Sequence, residues 1–243
     1  MIVCRKAFES EKALAEFLSG RVGDAPVLLC GDLCAVAASG ASGRLAEFIS
    51  ENGSAEIAAC ARRAVEALLA YAGVPEKDIG ALAALDVRGN RGCDAEASPP
   101  SLPAAASPAE ILDAPADAPS WFPVVDRSRC DSCGACVEFC LFGVHAVGGD
   151  GKASVVSPGS CKDKCPACAR VCPTGAIIFP KFDSAPINGG GSAVSADDGG
   201  DGPKGFQLPP EDLHAALAAR RRGKGGGKGL FKKPPEGEEG SPR

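Results

Sequence analysis

The sequence predicts a chain of mixed α and β structure with two small folded units, an α/β unit with a parallel sheet and a cysteine-rich α+β unit. Residues 1–93 alternate short apolar runs with amphipathic segments, and strands that alternate with helices favour a parallel sheet. Alanine and proline make up more than half of residues 94–120, which is typical of a linker. Residues 121–183 contain two similar runs of four cysteines.

In the N-terminal unit, apolar runs bounded by polar or glycine residues predict strands at 1–4, 26–30, 55–60 and 81–89. Apolar residues at helical spacing predict helices at 9–20, 43–52 and 62–73. Ser10 and Ser42 are the expected N-caps of the first two helices, and Gly20 and Gly73 are the expected stop signals at the ends of the first and third.

The rest of the chain divides by composition. We expect a linker at 94–120, semi-extended because of its prolines, and the cysteine-rich unit at 121–183, with Trp121 and Phe122 capping its core. A glycine-rich flexible linker at 184–209 leads to 210–243, where a short helix precedes a disordered tail.

The composition of the chain indicates its cellular compartment and the chemical role of its cysteines. The chain has 243 residues, a formal charge of −5 and 13 cysteines, and its start lacks the apolar core of a signal peptide. No apolar run reaches the roughly 18 residues that span a bilayer. These features predict a cytoplasmic protein without a membrane span, whose clustered cysteines are metal ligands or redox thiols rather than disulfides.

The charge balance gives no overall signal for nucleic acid, so a nucleic-acid function is not expected. The tail sequence RRRGKGGGKGLFKK nevertheless leaves contact with RNA, an acidic partner or an anionic membrane open, the alternative being a solvated tail.

The two cysteine runs, CDSCGACVEFC and CKDKCPACARVCP, have the spacing of iron–sulfur ligands. Three thiolates in one short loop can hold three corners of an iron–sulfur cube, and the fourth ligand must come from elsewhere. Structural zinc is the alternative, because CxxC pairs also build four-cysteine zinc sites. Zinc ribbons usually separate their two CxxC pairs by a longer stretch, so the spacing favours iron–sulfur.

On these two runs, residues 121–183 resemble the bacterial-type ferredoxins that carry two [4Fe–4S] clusters. The resemblance implies a ferredoxin-like βαββαβ unit with an internal pseudo-twofold, in which the two halves exchange one ligand. It implies that the first cluster is held by Cys130, Cys133, Cys136 and Cys172, and the second by Cys140, Cys161, Cys165 and Cys168. Both clusters would transfer single electrons to redox partner proteins that the sequence does not identify.

The chain departs from the family pattern at two places. Leu141 stands where the second run has Pro173, and three residues rather than two separate Cys161 from Cys165. We expect both departures to keep the ligands and to give the two clusters unequal exposure and potential.

Four further cysteines lie near the ends of predicted strands: Cys4, Cys30, Cys34 and Cys60. The carboxyl ends of parallel strands border the crevice where ligands bind, so these thiols could form a second redox or metal site. The favoured interpretation is that they are small buried apolar residues, a common role of cysteine. Cys93 is expected to be a plain thiol, and the two histidines, His145 and His214, a strand residue and a surface residue rather than ligands.

The sequence therefore predicts an iron–sulfur electron-transfer protein. One alternative is an oxidoreductase that reacts at the N-terminal cysteines and receives electrons from the cluster unit. A second is a docking subunit of a larger redox complex. A stand-alone enzyme is not the expected form.

Overall fold

The structure, a computed structural model, describes residues 1–21, 26–52, 56–88 and 109–191. All of them belong to one compact unit, Met1–Asp197. The predictions for residues 94–108 and 192–243, with Cys93 and His214, lie outside the described residues. Within the described ranges, no helix combines the length and the apolar character needed to cross a membrane.

A five-stranded parallel sheet forms the N-terminal part, which confirms the predicted α/β architecture with a parallel sheet. Its strand order is β4-β3-β1-β2-β5. The strands are β1 (Ile2–Cys4), β2 (Val27–Cys30), β3 (Glu56–Ala59), β4 (Ala83–Asp86) and β5 (Ala109–Leu112). The central strands β1 and β2 are buried along their whole length, as their unbroken apolar sequences require.

Five helices accompany this sheet: α1 (Glu11–Arg21), α2 (Leu33–Ala37), α3 (Ser42–Asn52), α4 (Arg62–Tyr71) and α5 (Glu76–Gly80). The periodic segments α1, α3 and α4 were predictable. The five-residue helices α2 and α5 were not, because one turn is too short to show a helical period. Asp32 caps α2, since its carboxylate accepts hydrogen bonds from Cys34 N at 3.0 Å and Ala35 N at 3.3 Å.

Strand β5 lies within the segment that the sequence predicts as a linker. It extends the sheet in register with β2, and the Glu110 carboxylate accepts two hydrogen bonds from Arg44 of α3, at 2.8 and 2.7 Å. An edge strand of four residues, with Ile111 40% exposed, has too little apolar pattern to be recognised in an alanine- and proline-rich stretch. Its strand conformation depends on a partner strand far away in the sequence.

The cysteine-rich segment has the element order β6-α6-β7-β8-α7-β9. Strands β6 (Val124–Val125) and β9 (Ile177–Ile178) form one antiparallel pair, and β7 (His145–Val147) and β8 (Ala153–Val155) form another. The short helices α6 (Ala135–Phe139) and α7 (Ala167–Val171) pack against each other.

The N-terminal part and the cysteine-rich segment, which the sequence predicts as separate units, pack directly on each other. Phe122 is buried in the N-terminal core beside Tyr71, with ring centroids 5.3 Å apart, whereas Trp121 stacks on Phe179 of the cysteine-rich segment. The prediction that both aromatic residues cap the same core is therefore wrong for Phe122. Strand β6 packs against α4, so Phe122, which lies just before this strand, joins the core of the N-terminal part.

Polar contacts reinforce the same interface. Arg63 of α4 donates from Nε to the Asp126 carboxylate at 3.1 Å and from its guanidinium to the carbonyl oxygen of Gly175 at 3.0 Å. Burial would raise the pKa of Asp126, but hydrogen bonds from Ser128 and Arg63 outweigh it, and the pKa lies below its ordinary value. The carboxylate is therefore ionised and paired at neutral pH.

Residues 187–190 are buried or half-buried, although the sequence places them in a flexible linker. Asn188 is 1% exposed, and Phe179 N donates to Ile187 O at 2.8 Å. Gly189 has φ +84°, and a Cβ added to it would lie 2.9 Å from both the Cβ and the N of Ala64. This glycine lets the segment approach the beginning of α4 closely.

Gly189→Ala is therefore expected to destabilise the protein by about 1–3 kcal/mol, because it combines a left-handed residue with overpacking. The matched control is Gly191→Ala, which has a similar φ of +79° but a nearest added contact of 3.4 Å. Urea unfolding measures both. Equal free energies of unfolding for the two variants would show that the contact with Ala64 does not matter.

Candidate functional site

The two cysteine runs fold into matching loop–helix units. In each, the third cysteine lies in a five-residue helix and the fourth directly follows it, as Cys136 and Cys140 do for α6 and Cys168 and Cys172 for α7. Ser132 (φ 64°) and Gly134 (φ 73°) have left-handed backbone in the first loop, and Lys164 (φ 56°) has it in the second. These conformations turn each loop sharply within a few residues.

The first group of thiols surrounds Cys136, which is buried in the core of the cysteine-rich segment. Burial, together with the neighbouring Cys172, Cys130 and Cys133, raises the pKa of Cys136 to about 11. Cys172, which belongs to the second run, is thus close enough to Cys136 for their charges to interact. Ala176 N donates a hydrogen bond to Cys172 Sγ at 3.2 Å.

The second group of thiols surrounds Cys168. Burial, together with Cys161, Cys140 and Cys136, raises the pKa of Cys168 to about 12. Burial, with Cys165 and Cys140, raises the pKa of Cys161 to about 11. Cys140 therefore lies beside the cysteines of the second run, although it belongs to the first.

A cavity of about 430 Å³ lies at the second group. All four of its cysteines line the cavity, namely Cys140, Cys161, Cys165 and Cys168, together with apolar side chains that include Phe139, Leu141, Phe142 and Val144. Leu141 is 92% exposed and Phe142 51% exposed, so apolar surface borders this group on the solvent side.

The environment of these thiols favours the binding of positively charged metal ions. A raised pKa means that the thiolate form is disfavoured when only other thiols and apolar groups surround it. Metal ions lower the pKa of the thiols that they bind, and metal ligation requires the deprotonated form. Among the described residues, however, no three His, Cys, Asp or Glu side chains lie close enough together to hold a single metal ion.

Three of the four N-terminal cysteines lie together near the carboxyl ends of the strands. Cys4, Cys34 and Cys60 line a small cavity of about 10 Å³, whereas Cys30 of β2 is buried beside its register partner, Cys4 of β1. Leu33 N donates to Cys4 Sγ at 3.5 Å. This cavity has room for about one water molecule, which is far less than at the second group of cluster thiols.

Lys181 and Asp32 complete the wall of this small cavity, and sequence reasoning did not find either of them. Lys181, from the cysteine-rich segment, forms an ion pair with Asp32 and donates to Ser120 Oγ at 2.8 Å. Lys6 also reaches Asp32, at 3.1 Å. Asp32 has a recognisable signal as the N-cap of a helix, but no local pattern could connect Lys181 with a residue 149 positions earlier.

Comparisons with known proteins give one partial likeness. The chain is 44% identical over 62 residues to an uncharacterized ferredoxin of Methanocaldococcus jannaschii, an alignment that covers 25% of this chain and 42% of that protein. The chain thus spans less than half the length of this relative. No family model matches the sequence, and no solved structure matches it.

Proposed function

We propose that this chain is an iron–sulfur electron-transfer protein in which eight cysteines hold two [4Fe–4S] clusters. The observation that carries the proposal is the exchange of neighbours: Cys172 lies beside the first run and Cys140 beside the second. A single four-cysteine zinc site has no need of eight thiols in two interleaved groups. The partial likeness to a ferredoxin adds support for the region that matches.

In this proposal Cys130, Cys133, Cys136 and Cys172 hold one cluster of a ferredoxin-like βαββαβ module, and Cys140, Cys161, Cys165 and Cys168 hold the other. When bound, the clusters supply one-electron transfer, which needs no substrate pocket. The protein positions the thiolates, excludes water from the buried Cys136 and Cys168, and donates backbone N–H groups, such as that of Ala176, to sulfur.

We expect the redox partner to bind next to the second ligand set, which consists of Cys140, Cys161, Cys165 and Cys168. Phe139, Leu141 and Phe142 are 49%, 92% and 51% exposed and border the cavity that holds this set. On the other side Cys161 packs against the N-terminal core, so the N-terminal unit shields part of the module. Close approach at the apolar side would shorten the path for the electron.

A second candidate function is an oxidoreductase that also uses the N-terminal thiols. The observation that favours it is the position of Lys181. This lysine belongs to the cluster module, and its charged side chain lies at the small cavity that Cys4, Cys34 and Cys60 line. The small volume of that cavity favours thiol chemistry over a further metal cluster there. Docking onto a larger redox complex is compatible with either function.

Metal analysis of protein reconstituted without oxygen tests the main proposal. We expect about eight iron and eight sulfide per chain, because each cubane contributes four of each. Electron paramagnetic resonance of the reduced protein should show two interacting clusters. A colourless protein that binds only zinc would contradict the proposal, and an iron content near twelve would place another cluster at the N-terminal cysteines.

A further inference from the structure

His145 is a buried side chain for which the described part of the chain provides no hydrogen-bond partner. It is 5% exposed, and neither Nδ1 nor Nε2 has a partner among the described residues. Burial lowers its pKa to about 4, so at neutral pH the imidazole is uncharged and carries one N–H donor and one acceptor nitrogen. A buried polar group left unsatisfied is costly, and such exceptions in a folded protein require a reason.

The internal repeat of the two cysteine runs shows which residue of the second half is equivalent to His145. The first run continues as Cys140-Leu-Phe-Gly-Val-His145 and the second as Cys172-Pro-Thr-Gly-Ala-Ile177. In both, the glycine has left-handed backbone, with φ 65° at Gly143 and 61° at Gly175, and the strand begins five residues after the cysteine. His145 and Ile177 therefore occupy equivalent positions in the two halves.

The core cluster around Ile177 indicates what lies near the equivalent position of His145. It is 3% exposed and belongs to the core cluster that contains Cys136 and Cys168, one cysteine from each proposed ligand set. An apolar side chain suits such a core, yet the first half places an imidazole at the same point. Strand β7 also packs against α6, the helix that carries Cys136.

We infer that His145 donates an imidazole N–H hydrogen bond to a sulfur atom of one of the two clusters and thereby raises the reduction potential of that cluster above its partner's. This inference rests on the proposed function, because the acceptor belongs to the bound cofactor. A hydrogen bond to sulfur stabilises the more negative, reduced state, and such bonds help to set the potential of iron–sulfur clusters. Ile177 cannot make this bond, so the two halves become unequal.

The composition of the chain makes a direct test possible. Only two histidines are present, His145 and His214, so labelling with histidine that carries ¹⁵N only in its imidazole ring introduces two labelled side chains and no labelled backbone. Pulsed electron paramagnetic resonance of the reduced holoprotein should detect coupling between a histidine ¹⁵N and a cluster. The coupling should persist in His214→Asn and disappear in His145→Gln and His145→Leu.

Redox titration of the same variants gives the second readout. His145→Leu should lower the midpoint potential of one cluster and leave the other unchanged, whereas His145→Gln, which keeps an N–H donor, should shift it less. Fully loaded wild-type protein without histidine coupling would overturn the inference even if no variant folds, as would a His145→Leu variant with unchanged potentials. Absence of clusters in the wild-type protein would instead overturn the proposed function, and the inference with it.

Discussion

Under the proposed function, removing Cys172 is expected to eliminate the cluster that is assigned to the first cysteine run. The reason is the exchange of neighbours, in which Cys172 lies beside Cys130, Cys133 and Cys136 rather than completing the loop of its own run. In Cys172→Ala, one of the two cluster signals should disappear, and the iron content should fall from about eight towards about four per chain. Electron paramagnetic resonance and iron and sulfide assays measure both quantities.

Double variants show which cysteines share a cluster. Cys133→Ala combined with Cys172→Ala should lose no more iron than either change alone, because both remove ligands from the same set. Cys165→Ala combined with Cys172→Ala should lose both clusters. If each run held its own cluster without exchange, the two results would be reversed. Cys93→Ala is the control and should retain both clusters.

Replacing Lys181 with methionine is expected to destabilise the protein strongly. Lys181 and Asp32 form an ion pair with side-chain exposures of 7% and 12%, and the pair joins the cysteine-rich segment to α2. Removing one partner leaves a buried charge uncompensated, which costs about 3–5 kcal/mol. Lys6 still reaches Asp32 at 3.1 Å, so the lower end of that range is expected in urea unfolding.

The control for this change is Arg62→Met, which breaks an exposed pair with Glu66 and should leave the free energy of unfolding unchanged. Adding Asp32→Asn to Lys181→Met should restore part of the loss, because the unpaired charge is then removed. If Lys181→Met is as stable as the wild-type protein, the two units do not depend on this pair.

The same pair predicts how stability depends on pH. Burial would raise the pKa of Asp32, but Lys181 and Lys6 outweigh it, and the pKa is lowered. A carboxyl with a lowered folded-state pKa contributes stability above its unfolded pKa of about 3.9, and this contribution is lost as the pH falls through the folded value. Asp32→Asn should therefore flatten the acid limb of the stability curve.

The cysteine spacing by itself determined which residues are the candidate ligands and which cofactor they suit. Ligand chemistry depends on residue type and on short separations along the chain, and both are visible in the sequence. The apolar runs and helical periods likewise determined strands β1 to β4 and helices α1, α3 and α4, because burial on one or both faces imposes a pattern on every long element.

Only the tertiary structure decided how the two units meet and which isolated polar groups are buried. Strand β5, the packing of Phe122 against Tyr71, the Lys181–Asp32 pair and the burial of His145 all depend on residues that are distant in the sequence. A single lysine or histidine carries no local pattern that reveals its partner or its exposure. Their roles arise from three-dimensional packing, in which the free energy of a polar group depends on what surrounds it rather than on its neighbours along the chain.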